Sequence, residues 1–396
     1  MDDSPIKRSN VLEKALFVAS ALSPKVTGIT PMPYVFHPIS QSRRDLLSLR
    51  RYSLDNSSTF SIALNTMNDV PEIRDDLLVV HQLFKVLDFI DEKPDVQRRE
   101  KKSLHEDYFE VIRYPEEDKI EDLERRLEVL GFNDADIEHS TLVENIRVLI
   151  RAAQDRPNKV RDIFLKYGTK MAEGFAKTDK KPILDMRDVD LDTLIAAGYV
   201  GYTVLEIFEA RKYLTSGEAD RLKTPARTLG KADQLGNNLR DFFKDLKADI
   251  SHWPEETLQK FKEALEIEPI RMRQRRLREL YPNFSALVHY SADKFYKGVD
   301  FIDRLPKGRP YGPAVFSGLG LAVYADYARR VDNPEFLATE GVYERPTKGE
   351  IFDLKDAVTG LVREGSSIRS LIRHLLDTKE PSTTFRHRSR RYNKAA

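Results

Sequence analysis

The chain has 396 residues, 65 of them basic and 64 acidic, and no cysteine. That length can bury a substantial core in one large domain, while the near-balance of charge excludes a global field for nucleic acid and leaves any charge chemistry local. The lack of cysteine removes disulfides, thiolate nucleophiles and cysteine metal sites, in keeping with a reducing cytoplasm.

The N-terminus, Met1 to Pro5, is acidic and no long apolar run follows it, which reads against a secretory signal. Residues 1–45 mix proline, serine and short apolar runs and read as an irregular arm with at most one helix. From 58 onward the pattern is helical, with expected helices at 58–66, 72–92, 100–113, 117–130, 135–153, 157–175, 189–213, 227–249, 255–267, 269–279, 283–303, 312–331 and 350–377. Dense charge between 94 and 130 reads as a solvated face or a surface hairpin. The longest apolar stretch, Pro313 to Ala328, is too short and too polar to span a bilayer and suits a buried helix. Residues 379–396 form a basic tail with five Arg or Lys between Arg386 and Lys394. It reads as a solvated end, with peripheral contact to anionic lipid as the alternative. No strand alternation competes and no internal repeat is present, so residues 46–378 make one all-α body, a bundle or a barrel.

Two of these helices carry acids where a core is expected. Leu77 to Glu92 is apolar nearly all round, yet His81, Lys85, Asp88 and Glu92 share one stripe, with Asp91 beside it. Lys231 to Asp249 places Gln234, Asn237, Asp241 and Asp245 in a polar file, flanked by Arg240 and by leucines and phenylalanines. Acids and bases at such spacings are usually surface ion pairs. On apolar helices they instead face a cost of several kcal/mol per buried charge, which pairing or metal removes. Two carboxylate files opposed across a cavity suit magnesium-mediated ionisation of a diphosphate, because hard oxygens hold the ions and the ions bridge to phosphate. An apolar aromatic wall, with Phe84, Tyr199, Phe242 and Phe295 as candidates, would shield the remaining allylic cation.

The second file, read as Q-x-x-N-x-x-R-D-x-x-x-D, resembles the second aspartate-rich motif of the squalene/phytoene synthase family. His252-Trp253-Pro254-Glu255 is similar to the phenylalanine-tryptophan-proline-acid element of squalene synthases. Asp88 to Glu92 resembles the first acidic motif, Met171 to Phe175 and Ala196 to Gly201 resemble the central helix elements, and Asn56 to Ser61 and Val342 to Arg345 take the places of an early serine-rich and a late basic motif. The resemblance implies an isoprenoid-synthase-like helical barrel in a single domain with a central cavity. Two places depart from it: Ser58 stands for an expected arginine that holds diphosphate, and Asp192 stands for a tyrosine implicated in proton handling.

On that resemblance the chain is a prenyltransferase that takes farnesyl or geranylgeranyl diphosphate and joins two head to head. Asp88, Asp91, Glu92, Asp241 and Asp245 are the expected ligands of two or three magnesium ions. Lys85, Gln234, Asn237, Arg240 and Arg345 are the expected diphosphate contacts, and Tyr199, or Tyr202 from a neighbouring position, is the candidate to stand in for the missing tyrosine. NADPH is implied if squalene is the product. Cyclisation of one prenyl diphosphate, or its transfer to a non-prenyl acceptor, is the alternative that Ser58 and Asp192 motivate, and a non-catalytic descendant is a third. A monomer or homodimer, cytoplasmic or membrane-associated, accommodates each.

Overall fold

The computed structural model describes residues 41–56, 58–93, 96–130, 143–178, 181–307, 310–342 and 346–377. The chain divides between Arg43 and Arg44, and the architecture below is that of the second unit. Among the described residues every regular element is helical. In chain order they are α1 (Gln41–Asn56), α2 (Ser58–Leu64), α3 (Pro71–Asp91), α4 (Arg98–Arg113), α5 (Glu117–Val129), α6 (Ile146–Gln154), α7 (Asn158–Thr178), α8 (Met186–Thr193), a π-helical turn (Leu194–Gly198), α9 (Tyr199–Ala210), α10 (Ser216–Arg240), α11 (Phe242–Lys247), α12 (Glu255–Leu265), α13 (Ile270–Glu279), α14 (Tyr281–Arg304), α15 (Gly312–Val331), α16 (Pro334–Ala338), α17 (Lys348–Arg363) and α18 (Arg369–Asp377).

The organising helix is α10, which packs against α9, the π-helical turn, α14 and α15. It begins eleven residues earlier than the expected start at 227. Thr215 and Glu218 form a reciprocal capping box there, and Pro225 is carried inside the helix instead of opening it. It also ends earlier, at Arg240, and the chain resumes as α11 after a break at Asp241. The backbone N–H of Asp245 still donates to the Asp241 carbonyl at 2.9 Å, so the two acids keep their one-turn spacing.

Close contact between α10 and its neighbours depends on two glycines. A Cβ at Gly230 would stand 2.1 Å from the Ala197 carbonyl oxygen, and one at Gly201 would stand 2.2 Å from that of Ala226. Both obstacles are backbone, which cannot swing aside. Gly230→Ala is therefore expected to cost about 2 kcal/mol through overpacking, whereas Gly360→Ala on α17, where a Cβ meets nothing within 4 Å, should gain about 0.5–1 kcal/mol. Urea denaturation of both variants checks the opposite signs. The run Met186–Ala210 is long and apolar enough to cross a membrane by length and composition, and 44% of its apolar stretch is buried within the unit.

Other boundaries differ for local reasons. The single helix expected over 350–377 is two, because Gly365 takes φ +69° after α17. The charged stretch that reads as a solvated face is the amphipathic pair α4 and α5. Leu104, Tyr108, Val111, Ile112, Leu123 and Leu127 of that pair are buried. Part of the helix expected at 135–153, most of the N-terminal arm and the basic tail lie outside the described residues.

Candidate active site

Half-buried positions interrupt otherwise buried helices in regular stripes. Between Leu77 and Ile90 of α3 every residue is buried except His81, Lys85 and Asp88. Between Gly312 and Ala328 of α15 every residue is buried except Phe316, Gly320 and Tyr324, spaced one turn apart. On α10 the positions that keep accessible surface near the C-terminal end include Asp233, Gln234, Asn237 and Arg240, followed by Asp241 and Asp245. Direct contacts join these stripes. Phe60 of α2 stacks on His81 with ring centroids 3.7 Å apart and meets Phe316 edge-on at 5.8 Å. The Tyr324 hydroxyl donates to Asn237 Oδ1 at 3.0 Å. That approach is possible because residue 236 is glycine: a Cβ there would lie 2.4 Å from the Tyr324 ring. Burial, and then Lys85, bring the His81 pKa down to about 3, so the ring is neutral and serves as an aromatic surface.

The acids gather at one end. On α3, Lys85 Nζ lies 3.3 Å from Asp88 Oδ2. Glu92, just past the helix end, keeps an exposed surface, yet its carboxyl is pushed up to about 7 by desolvation and then by Asp88, against the pull of Lys85, Lys244 and His252. Asp245 is pushed up to about 6, again by burial first, with His252 acting against it and Asp241 adding to it. The two acid-bearing ends thus meet within electrostatic reach of the same cations, Lys244 and His252. Arg240 grips Asp241, its Nε 2.9 Å from Oδ1. Gln234 donates to Asn238 at 2.9 Å. Asp91 is half-buried beside the stripe, and its carbonyl accepts from Lys101.

His252 is the group that reading the sequence missed. Its Nδ1 lies 3.2 Å from Asp192 Oδ2, and although burial opposes the charge, Asp192, Asp245 and Glu92 raise its pKa to about 9. The pair joins the loop after α11 to α8. Asp192 was singled out in the sequence, but its pairing with His252 across 60 residues was not visible there. Tyr199 lies on α9 with its ring 6.2 Å from that of Tyr167, and Tyr202 stacks on the same Tyr167 ring at 5.7 Å. The expected aromatic wall is also corrected. Phe84, Phe242 and Phe295 are almost fully buried, Phe84 against Phe164 and Phe242 against Phe243, Phe261 and Phe284. The half-buried rings are Phe60, Phe316 and Tyr324. Arg345 lies outside the described residues.

A family model described as squalene/phytoene synthase matches residues 55–347. The chain belongs to the squalene/phytoene synthase family. The squalene synthase of Candida albicans (strain SC5314 / ATCC MYA-2876) is 23% identical over 236 residues, 58% of this chain and 50% of that protein, so the match spans half the relative's length. TcSQS in complex with BPH1237 superposes with a TM-score of 0.64, and in complex with E5700 with 0.65. Each comparison has 16% identity and covers 85% of this chain and 97% of the other. The all-α isoprenoid-synthase-like fold follows from these neighbours.

Family membership raises the matter of a divalent cation. Among the described residues no three His, Asp or Glu side chains stand close enough to hold an ion by themselves. Magnesium does not require this, since it keeps waters and takes one or two carboxylates together with substrate phosphates. Asp88 and Glu92 on one side, and Asp241 and Asp245 on the other, supply hard oxygens in such pairs. Burial first, and then a neighbouring carboxylate, raise the pKa of Glu92 and of Asp245 despite the cations nearby, and a bound cation would offset that cost. The residues present therefore fit magnesium.

Proposed function

We propose that this chain is a magnesium-dependent prenyltransferase that ionises prenyl diphosphates, farnesyl or geranylgeranyl diphosphate, and joins two of them head to head. The observation that carries this reading is that Glu92 and Asp245 both lie within electrostatic reach of Lys244 and His252, while Phe60, Phe316 and Tyr324 join the half-buried stripes of the same helices. Family membership supports prenyl diphosphate coupling in general. Asp88, Asp91, Glu92, Asp241 and Asp245 are assigned to the magnesium ions, which when bound neutralise charge on the departing diphosphate. Lys85, Gln234, Asn237, Arg240 and Arg345 are assigned to diphosphate oxygens, where charge-assisted hydrogen bonds strengthen as the carbon–oxygen bond breaks. His252, held by Asp192, adds a fixed positive charge at the same mouth. The rings deeper in exclude water from the cation left behind.

A second reading starts from the Asp192–His252 pair, Asp192 standing by resemblance in the place of the family's tyrosine: one prenyl diphosphate is ionised and then cyclised or passed to a non-prenyl acceptor. Incubation with farnesyl or geranylgeranyl diphosphate and magnesium, followed by diphosphate assay and mass spectrometry, separates the two. A dimeric hydrocarbon supports coupling and a monomeric terpenoid supports the second reading. No diphosphate release removes both. NADPH enters only if the dimer is squalene.

The acids also give a pH signature. Glu92 at about 7 and Asp245 at about 6 lie above the ordinary values of about 4.3 and 3.9. The folded state therefore holds protons that the unfolded chain releases, and the stability they confer is lost as pH rises through 6 and 7. Cations relieve that loss, so the gain in Tm on adding magnesium should be larger at about pH 7.5 than at about pH 5.5. Equal gains at both values would remove these carboxylates from the metal site.

A further inference from the structure

Asp233 is a second kind of acid on α10, beside Gln234 and set apart from the acids assigned to metal. It lies eight residues before Asp241, about 12 Å along the helix axis, and one turn before Asn237. Its Oδ1 is buried without a hydrogen-bond partner. Burial alone pushes the carboxyl up to about 8. Across from it, a Cβ built on Gly320 of α15 would have Asp233 Oδ1, at 3.9 Å, as its only neighbour within 4 Å. The two helices thus leave an opening at this level. The ring of Tyr324 borders it one turn on, and that of Phe316 one turn before.

A carboxyl oxygen buried without a partner costs free energy without benefit to the fold, and neither the diphosphate nor the metal assignment uses it. Its surroundings suit a hydrocarbon. Its strength as a base is matched to neutral pH, and an approaching carbocation favours its ionised form by direct attraction.

We propose that Asp233 is the base that ends the reaction, taking a proton from a carbon next to the cationic carbon so that turnover closes by forming a double bond and not by hydride addition. This rests on the reading of the site as one that ionises prenyl diphosphates. In the first step the carbon–oxygen bond breaks and its electron pair leaves with diphosphate. After coupling or ring closure has moved the positive charge along the chain, a C–H bond breaks. Its electron pair becomes the new π bond, and the proton passes to the Asp233 carboxylate and then to solvent on product release. No oxidant or reductant is needed. The departing diphosphate is itself a base, but it is assigned to the magnesium ions at Asp241 and Asp245, two turns or more further along the chain, where its charge is neutralised.

The test uses the full chain with magnesium and farnesyl or geranylgeranyl diphosphate, without NADPH, as wild type, Asp233→Asn and Asp233→Leu. Wild type should yield an olefin formed by net proton loss. In Asp233→Asn, diphosphate release should stay within about threefold of wild type while olefin falls by about 100-fold and water-quenched alcohols take its place. Asp233→Leu should show the same product change with a Tm equal to or above wild type, which separates chemistry from misfolding. Diphosphate release with an unchanged olefin share in both variants would overturn the base alone, as would incorporation of labelled hydride as a requirement for the wild-type hydrocarbon. Absence of diphosphate release by the wild type would overturn the underlying reading, and the base with it.

Discussion

Asp241→Asn is expected to slow diphosphate release by about 1000-fold, close to 4 kcal/mol of transition-state stabilisation, while leaving the protein folded. The substitution keeps the shape of the side chain and removes its charge. Folding should tolerate it, because Asp241 retains 26% of its side-chain surface and sits at the break between α10 and α11, where the backbone bond from Asp245 persists. Catalysis should not, because the carboxylate is assigned both to magnesium and to the orientation of Arg240. The two roles separate by measurement. With the carboxylate gone, the Arg240 guanidinium is released from its partner, so inorganic diphosphate should bind the variant in the absence of magnesium at least as well as wild type. Magnesium should no longer tighten that binding. A variant that turns over at more than a tenth of the wild-type rate, or whose diphosphate affinity still responds fully to magnesium, would remove Asp241 from the metal site.

The acid-bearing helices were legible because their pattern is improbable for a core: Lys85 and Asp88 on an otherwise buried α3, and Asp241 and Asp245 beside Phe242, Phe243 and Leu246. The break at Asp241 was not legible, since acids one turn apart look the same across a break that preserves their register. Helix α1 was hidden by its composition, Ser42, Arg43, Arg44, Asp45, Ser48, Arg50, Arg51 and Ser53 among few apolar residues. Its buried positions, such as Leu49, are fixed by tertiary contact. Core rings and cavity rings are equally apolar, so periodicity had no means of telling Phe242 from Phe316. The Asp192–His252 pair depends on bringing α8 to the loop after α11, and no local pattern encodes that approach. Asp233 was hidden differently: an acid on a long helix reads as solvated surface until the helix opposite, with Gly320 in its face, is in place.

The same opposite helix carries the largest expected stability effect. On the side of α15 away from Gly320, Asp326 is fully buried and accepts from Arg329 Nη2 at 2.6 Å and Arg330 Nε at 2.7 Å. Arg330 continues to Glu350 of α17 at 2.9 Å. The side chains of Arg329 and Arg330 are themselves 9% and 8% exposed. Replacing Asp326 by alanine leaves guanidinium charge in a dry interface between α15 and α17, and the cost of breaking such a pair from one side is about 3–5 kcal/mol. Urea denaturation should show that loss as a lower midpoint with an unchanged slope. Turnover measured on the folded variant at low temperature should stay near wild type, because the stripe formed by Phe316, Gly320 and Tyr324 points the other way around the helix. A loss below about 1 kcal/mol would mean that water reaches the arginines and that the pair behaves as an exposed one. A large loss of turnover with little change in stability would mean that α15 transmits the state of Asp326 to Tyr324, and so to Asn237 and the diphosphate end of α10.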